Sequence, residues 1–253
     1  MLLKITEKCS LGCSHCMNSA TPDGKHMTEE IFEDAVRFLI RNDACKSIIL
    51  TGGEPAEHPD FEHIMSLLIS RLEMEKKTSV ITITTNGFWC LDNPVIAADM
   101  TKSSKYTQVF WQVSTDSRFY PKSIPKHKRL WRESGFVFCD DCVQHVYPQG
   151  RALTNNLPWE AKASKCFNVR AMAKQLDKPT FGTVIQHLGA AGFHCTPAIR
   201  VDGTIGLGES DLCPAAASIY DSDSEIIKKI IDFECHQCDF INNRLDPIYK
   251  QFV

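Results

Sequence analysis

The sequence has no run of about 18 apolar residues, the least that spans a membrane as a helix, and its start, Met-Leu-Leu-Lys-Ile-Thr, lacks the long apolar stretch of a secretory signal. It also lacks a dominant charge: 28 Lys and Arg oppose 31 Asp and Glu, for a net charge of −3 and a pI near 6.3. Such a balance offers no global attraction to nucleic acid or to an anionic membrane, which argues against both as partners. A local basic run, Lys122, Lys126, Lys128, Arg129 and Arg132, reads as a solvated helix face. There is no internal repeat and no low-complexity linker. What the chain does have is cysteine, 12 in 253 residues. With no secretory signal the expected location is cytoplasmic, and in a reducing compartment cysteines point to metal binding or catalysis rather than to disulfides.

Three of these cysteines, Cys9, Cys13 and Cys16, stand close together in Lys-Cys-Ser-Leu-Gly-Cys-Ser-His-Cys-Met-Asn. Three thiolates on one loop suit a four-iron cubane, holding three irons and leaving the fourth open to bind and activate another molecule. Zinc is the alternative. It takes four ligands, often as paired C-x2-C with an added His, and His15 inside the cluster keeps that reading open.

The first two-thirds of the chain alternates strand and helix patterns. A short strand over Leu2–Thr6 delivers the cysteine loop. Thr28 caps a helix reaching to about Arg41, with Glu29 and Glu30 in its first turn and Ile31, Ala35, Phe38 and Leu39 on one face. A buried strand from Ser47 to Thr51 ends in Gly52-Gly53-Glu54-Pro55. A helix from about Pro59 to Met74 follows, with Phe61, Ile64, Leu68 and Leu72 as its apolar stripe. Two further β-branched runs, from Val80 to Thr84 and from Gln108 to Val113, end in Thr85-Asn86-Gly87 and Ser114-Thr115-Asp116. Strands that repeatedly end in small and polar residues suggest a parallel barrel or open sheet whose active site is built by the loops after the strands. Beyond about residue 185 the pattern changes to a hairpin from Ala198 to Ile205, turning at Asp202-Gly203, with four cysteines around it and the helix beyond.

Cys9-x3-Cys13-x2-Cys16 on the loop after the first strand, followed by Gly52-Gly53-Glu54-Pro55 after the second, resembles the radical S-adenosylmethionine (SAM) superfamily. The resemblance implies an α/β fold, a partial (β/α)6 TIM-like barrel over residues 1–185. It implies that the three cysteines hold a 4Fe–4S cluster whose open iron binds the amino and carboxylate groups of SAM, with the Gly52–Pro55 turn receiving the methionine amino group. His15 stands where such enzymes usually carry an aromatic residue beside the adenine. Thr85, Asn86, Ser114 and Asp116 fall at strand ends where similar enzymes contact the ribose or the methionine carboxylate, and each also reads as a turn-forming residue. Arg151, in Pro-Gln-Gly-Arg-Ala, is similar to a stretch of many such enzymes, as a partner for a carboxylate of SAM or substrate or as a structural ion pair.

The C-terminal cysteines give a second match. Cys195, Gly208 and Cys213 follow C-x12-G-x4-C, and Cys235-x2-Cys238 adds two more ligands. This resembles the Twitch form of the SPASM domain and implies one auxiliary 4Fe–4S cluster, held by a β-hairpin plus helix unit over residues 186–253. A four-cysteine zinc knot is the alternative.

The function so implied is reductive cleavage of SAM to a 5′-deoxyadenosyl radical, hydrogen abstraction from the substrate, and electron acceptance by the auxiliary cluster. The expected electron donor is a flavodoxin or ferredoxin. The expected substrate is a peptide or protein residue, with a small alcohol, sugar or nucleotide as the alternative. The motif begins at residue 9, which leaves no room for an N-terminal leader-peptide-binding domain, so a separate recruiting protein is expected to serve a peptide substrate. A non-catalytic zinc module is the remote alternative. An enzyme using SAM as a methyl donor calls for a Gly-rich loop on a doubly wound sheet, which the sequence does not show. No motif supports a catalytic base at His145, Glu57 or Asp140. Cys45 and Cys90 read as buried apolar residues, and Cys139, Cys142 and Cys166 have no assigned role.

Overall fold

The computed structural model describes residues 1–102, 104–114, 119, 137–139, 150–157, 180–184, 197–208, 210 and 213–233. Its strands are β1 (Leu2–Thr6), β2 (Ser47–Gly52), β3 (Ser79–Thr85), β4 (Thr107–Ser114), β5 (Val137–Cys139), β6 (Ala198–Ile199), β7 (Thr204–Gly206) and β8 (Ala215–Ser218). They form one unclosed sheet in the order β5-β4-β3-β2-β1-β6-β7-β8. Strands β1 to β5 are parallel neighbours in chain order, as right-handed strand–helix–strand units require.

Side chains alternate across this sheet, and the register keeps the alternation in step. Leu3 pairs with Leu50, Leu50 with Ile83 and Ile83 with Trp111. All four belong to one core, together with Ile5, Ile48, Ile81, Val109 and Val113. A slip of one residue would turn this row to the other face, which carries Thr51, Thr84, Gln112 and Ser114. The polar face is the one that bounds the cavity described below.

Two helices cover the apolar face. Helix α1 (Glu29–Arg41) starts at Thr28, whose hydroxyl accepts the Ile31 N–H, and buries Phe32, Ala35, Val36, Phe38 and Leu39. Helix α2 (Phe61–Met74) buries Phe61, Ile64, Met65, Leu68 and Leu72 at helical spacing. It begins at Phe61, two residues beyond Pro59, with Asp60 at its N-cap, and a separate 3-10 turn, Pro55–Glu57, precedes it. Helices α3 (Phe88–Asp92) and α4 (Pro94–Met100) follow β3 and have no strong sequence pattern. Helix α4 accepts the indole N–H of Trp111 at Ala97 O, 2.9 Å away. Helix α5 (Gly150–Thr154) is a single short piece, and α6 (Asp223–Asp232) opens with a Ser222/Glu225 capping box.

The expected hairpin is present: β6 and β7 are antiparallel, and Gly203 takes φ +79° at the turn, with Asp202 Oδ1 accepting from Thr204 N–H and Oγ1–H. It is joined to the main sheet, since β6 pairs in parallel with β1. Helix α6 is tied to α1 by Arg41 and Asp223 at 2.9 Å.

Candidate functional site

The cavity lies where the strand ends meet the cysteine loop, as parallel α/β sheets favour. It has a volume of about 390 Å³. Cys9, Cys13 and Cys16 line it with His15, the Gly52–Glu54 turn, Thr85, Asn86, Ser114 and Arg151. The structure thus brings together nearly every described residue that the sequence nominated, although these come from five separate stretches of chain. Pro55 is buried just behind, at the start of the 3-10 turn. Asp116, Cys195, Cys235 and Cys238 lie outside the described residues, as do Cys142, Cys166, His145 and Asp140.

Close backbone approach explains both glycines of the turn. A Cβ on Gly52 would sit 2.1 Å from Thr6 O, and one on Gly53 would sit 2.1 Å from Lys8 O. Without side chains the turn docks directly on the start of the cysteine loop, through Gly53 N–H to Thr6 O at 2.8 Å and Glu54 N–H to Lys8 O at 2.7 Å. The two glutamates that follow hold the site's edges. Glu54 is 3 % exposed, and its carboxylate accepts from Thr85 Oγ1–H at 2.6 Å and from Asn86 N–H at 2.7 Å, joining the ends of β2 and β3. Burial pushes its carboxyl up to about 7, although these donors pull the other way. Glu57 accepts from Ser10 N–H at 2.9 Å and Ser10 Oγ–H at 2.7 Å, so it anchors the residue after Cys9.

Thr85 shares strand parity with Ile81 and Ile83, and its hydroxyl also accepts the Gly87 N–H. Thr84, with Asn86, is the neighbour of opposite parity and lines the cavity. Gln112 and Thr51 were likewise missed by sequence reasoning. Gln112 stands two residues before Ser114 and Thr51 two before Gly53, so the period of two was the available signal. Asn18 was missed as well, two residues past Cys16. Its Nδ2 donates to Gly52 O at 3.4 Å, while its buried Oδ1 has no hydrogen-bond partner among the described residues.

The far side of the loop is held by α5. Arg151 donates from its backbone N–H to Cys16 O (2.9 Å), from Nε to Cys13 O (2.8 Å) and from Nη1 to Ala20 O (2.6 Å). Asn155 Nδ2 donates to Ser14 O at 2.9 Å. His15 packs its ring 5.2 Å from that of Phe119.

Burial pushes the Cys9 thiol up to about 11 and the Cys13 thiol to about 12, the other cysteines of the loop adding to the effect. Forming thiolates there is costly unless a metal compensates, and loading would release their protons. Three thiols on the wall of one cavity supply the thiolate donor set of a cluster in which each binds a different iron. The unpartnered Asn18 Oδ1 beside the Gly52–Glu54 turn suits a ligand that brings a hydrogen-bond donor, such as an amino group. The residues present therefore fit a 4Fe–4S cluster with SAM.

Comparisons agree. Over 89 residues the chain is 34 % identical to molybdenum cofactor biosynthesis protein 1 of Homo sapiens, and over 122 residues 30 % identical to that of Drosophila melanogaster. These matches cover 34 % and 42 % of this chain but only 13 % and 21 % of those much longer proteins. Among solved structures, BtrN in complex with AdoMet and 2-DOIA has a TM-score of 0.53 at 12 % identity, covering 94 % of this chain and 83 % of that one. The structure of anSMEcpe with bound AdoMet and Cp18Cys peptide has a TM-score of 0.51 at 13 % identity, covering 92 % and 80 %. At such identities these two show the fold, an α/β architecture with a mostly parallel, unclosed sheet like their partial barrels. The model of the Radical SAM superfamily matches residues 3–132, half of the chain and the stretch that carries both the cysteine loop and the Gly52–Pro55 turn. The chain belongs to the radical SAM superfamily, whose members use a 4Fe–4S cluster and SAM.

Proposed function

We propose that this chain is a radical SAM oxidoreductase or maturase that abstracts a hydrogen atom from its substrate and passes the resulting electron to an auxiliary cluster. The observation that carries the reading is the single cavity shared by three cysteines, the Gly52–Glu54 turn and the ends of β3 and β4. When bound, the cluster and SAM supply a 5′-deoxyadenosyl radical, formed with methionine at the cost of one electron from a flavodoxin- or ferredoxin-like donor. Cys9, Cys13 and Cys16 hold the cluster. The turn backbone from Gly52 to Pro55 and Asn18 Oδ1 take the methionine ammonium, His15 lies against the adenine, and Asn86, Ser114 and Asp116 face the ribose or carboxylate. Thr85 acts through Glu54, to which its hydroxyl is bound.

Residues 186–253 form the auxiliary unit in this proposal, with Cys213, Cys195, Cys235 and Cys238 as ligands. Two contacts around Cys213 support it. Gly208 lies so close that an added Cβ would be 2.5 Å from Cys213 Sγ, and Arg200 donates to the Cys213 carbonyl. Ser210 Oγ–H reaches Met17 O at 3.3 Å, which links this loop to the one holding the first cluster. When bound, the auxiliary cluster would supply a one-electron acceptor, so that with a proton passing to a base the overall change would be a two-electron oxidation or cross-link. The proposed substrate is a peptide or protein residue and the proposed location cytoplasmic. The fold shared with a chain solved with a bound peptide favours this, and the similar chain solved with 2-DOIA favours a small molecule as the second reading.

The Cys213→Ala variant tests the auxiliary role. It should still form 5′-deoxyadenosine but lose about four irons and all substrate oxidation. Wild-type iron and product from this variant would exclude the auxiliary cluster. For the substrate, a perdeuterated cell extract is divided into peptide and small-molecule fractions. Deuterium appearing in 5′-deoxyadenosine from the peptide fraction supports the first reading, and its appearance from the small-molecule fraction alone replaces it with the second.

A further inference from the structure

We infer that Arg151 is a positioning residue for the iron–sulfur cluster, holding the cysteine loop by its backbone carbonyls and raising the cluster's reduction potential with its charge. The inference rests on the assignment of Cys9, Cys13 and Cys16 as cluster ligands.

The loop from Cys9 to Ala20 contains no strand or helix, so its own backbone cannot fix where three sulfurs lie. Carbonyls along it instead accept hydrogen bonds from distant parts of the chain. Arg151 takes those of Cys13, Cys16 and Ala20, Asn155 that of Ser14, and Ser210 that of Met17. Gly150 permits the contact. It has φ +53°, and an added Cβ would stand 2.5 Å from both Cys16 O and Met17 O, so α5 starts directly against the loop. Arg151 is therefore the only residue among those described that grips the loop at three points, two of them on the ligating residues Cys13 and Cys16.

The chemistry of the guanidinium suits this task. One rigid fork reaches two carbonyls seven residues apart in sequence from two separate nitrogens, a planar spread that the single ammonium nitrogen of a lysine lacks. The bonds from Nε and Nη1 to the loop leave the Nη2 edge for any other partner, so a carboxylate of SAM or substrate would share the guanidinium with the loop rather than take it over. A permanent positive charge beside the cluster favours its reduced, more negative state, and drawing the carbonyl oxygens toward Arg151 turns the negative ends of those dipoles toward the cation. Charge and hydrogen bonding around a cluster are the established levers on its potential.

The test is an anaerobic potentiometric titration of reconstituted wild type, Arg151→Lys and Arg151→Met, following the reduced-cluster EPR signal that shifts when SAM is added. Circular dichroism melts check folding. The charge-removing Met variant should lower the midpoint by about 59 mV, a tenfold shift of the one-electron equilibrium. The Lys variant should fall between it and wild type and show a broadened signal, while the KM for SAM changes little in either. Wild-type potentials with a raised KM for SAM would make Arg151 a carboxylate ligand and overturn the inference. Wild-type potentials with only a lowered Tm would make it structural, which also overturns it. Failure of the Met variant to fold leaves the Lys variant to decide by the same two readouts. If wild type itself shows no SAM-responsive signal, the cluster assignment fails, and this inference with it.

Discussion

Replacing Glu54 by Gln removes a buried carboxylate at nearly constant size and isolates what that charge does. In wild type the carboxylate is 3 % exposed and accepts from Thr85 Oγ1–H, Asn86 N–H and, at 3.3 Å, Ala56 N–H. Burial dominates, and its carboxyl lies up at about 7 rather than the ordinary 4.5. Between these values the folded protein keeps a proton that the unfolded chain releases. The stability this group contributes is thus fully present below about 4.5 and is lost as pH rises through about 7. Roughly 2.5 pH units at ~1.4 kcal/mol each gives ~3.5 kcal/mol across the window, of which about 2–3 kcal/mol falls between about pH 5 and pH 8. The Gln side chain does not titrate. Its amide nitrogen cannot accept the Asn86 N–H, a loss of about 1–2 kcal/mol that is independent of pH. Urea unfolding of both metal-free proteins across that range should show the stability difference moving in the variant's favour by about 2–3 kcal/mol as pH rises. Parallel stability curves for the two proteins would refute the assignment of this titration to Glu54.

Further predictions concern the loop, the ligand and the core. Gly53→Ala forces a Cβ against Lys8 O and should abolish the SAM-induced EPR shift while the far-UV circular dichroism is retained. Asn18→Ala should raise the KM for SAM about tenfold with a smaller effect on kcat, because it removes a ligand contact but not a cluster ligand. Trp111→Ala leaves a cavity beside Phe61 and Trp89, whose rings lie 5.9 and 5.7 Å from it, and should cost about 3–5 kcal/mol in urea unfolding.

The parts of the fold legible in the sequence are those set by local periodicity. The stripe Phe61, Ile64, Leu68 and Leu72 and the Thr28 cap need only residues within a few positions of one another. The cysteine loop and the Gly52–Pro55 turn were legible as motifs, and the cavity unites them. What was not legible depends on partners far apart in sequence. Glu54 was nominated for its place in a turn, whereas its carboxylate joins Thr85 and Asn86 some 31 residues on. Glu57 had the chemistry of a base and proves to hold Ser10, 47 residues away. The Pro-Gln-Gly-Arg-Ala stretch offers Arg151 as a partner for a carboxylate or as a structural ion pair, and no local pattern marks its described bonds to carbonyls more than 130 residues earlier. Nor does any local pattern say that the β6–β7 hairpin joins the edge of β1, since parallel pairing across 196 residues leaves no mark in either strand. Helices α3 and α4 escaped because each is too short to show a helical period.

The most direct measurement is anaerobic reconstitution with iron and sulfide, followed by dithionite and SAM, in wild type and in the variant combining Cys9→Ala, Cys13→Ala and Cys16→Ala. The account predicts 5′-deoxyadenosine from wild type and none from the variant, with about eight irons per chain falling to about four. Bound zinc in place of iron, with no 5′-deoxyadenosine from wild type, would contradict it.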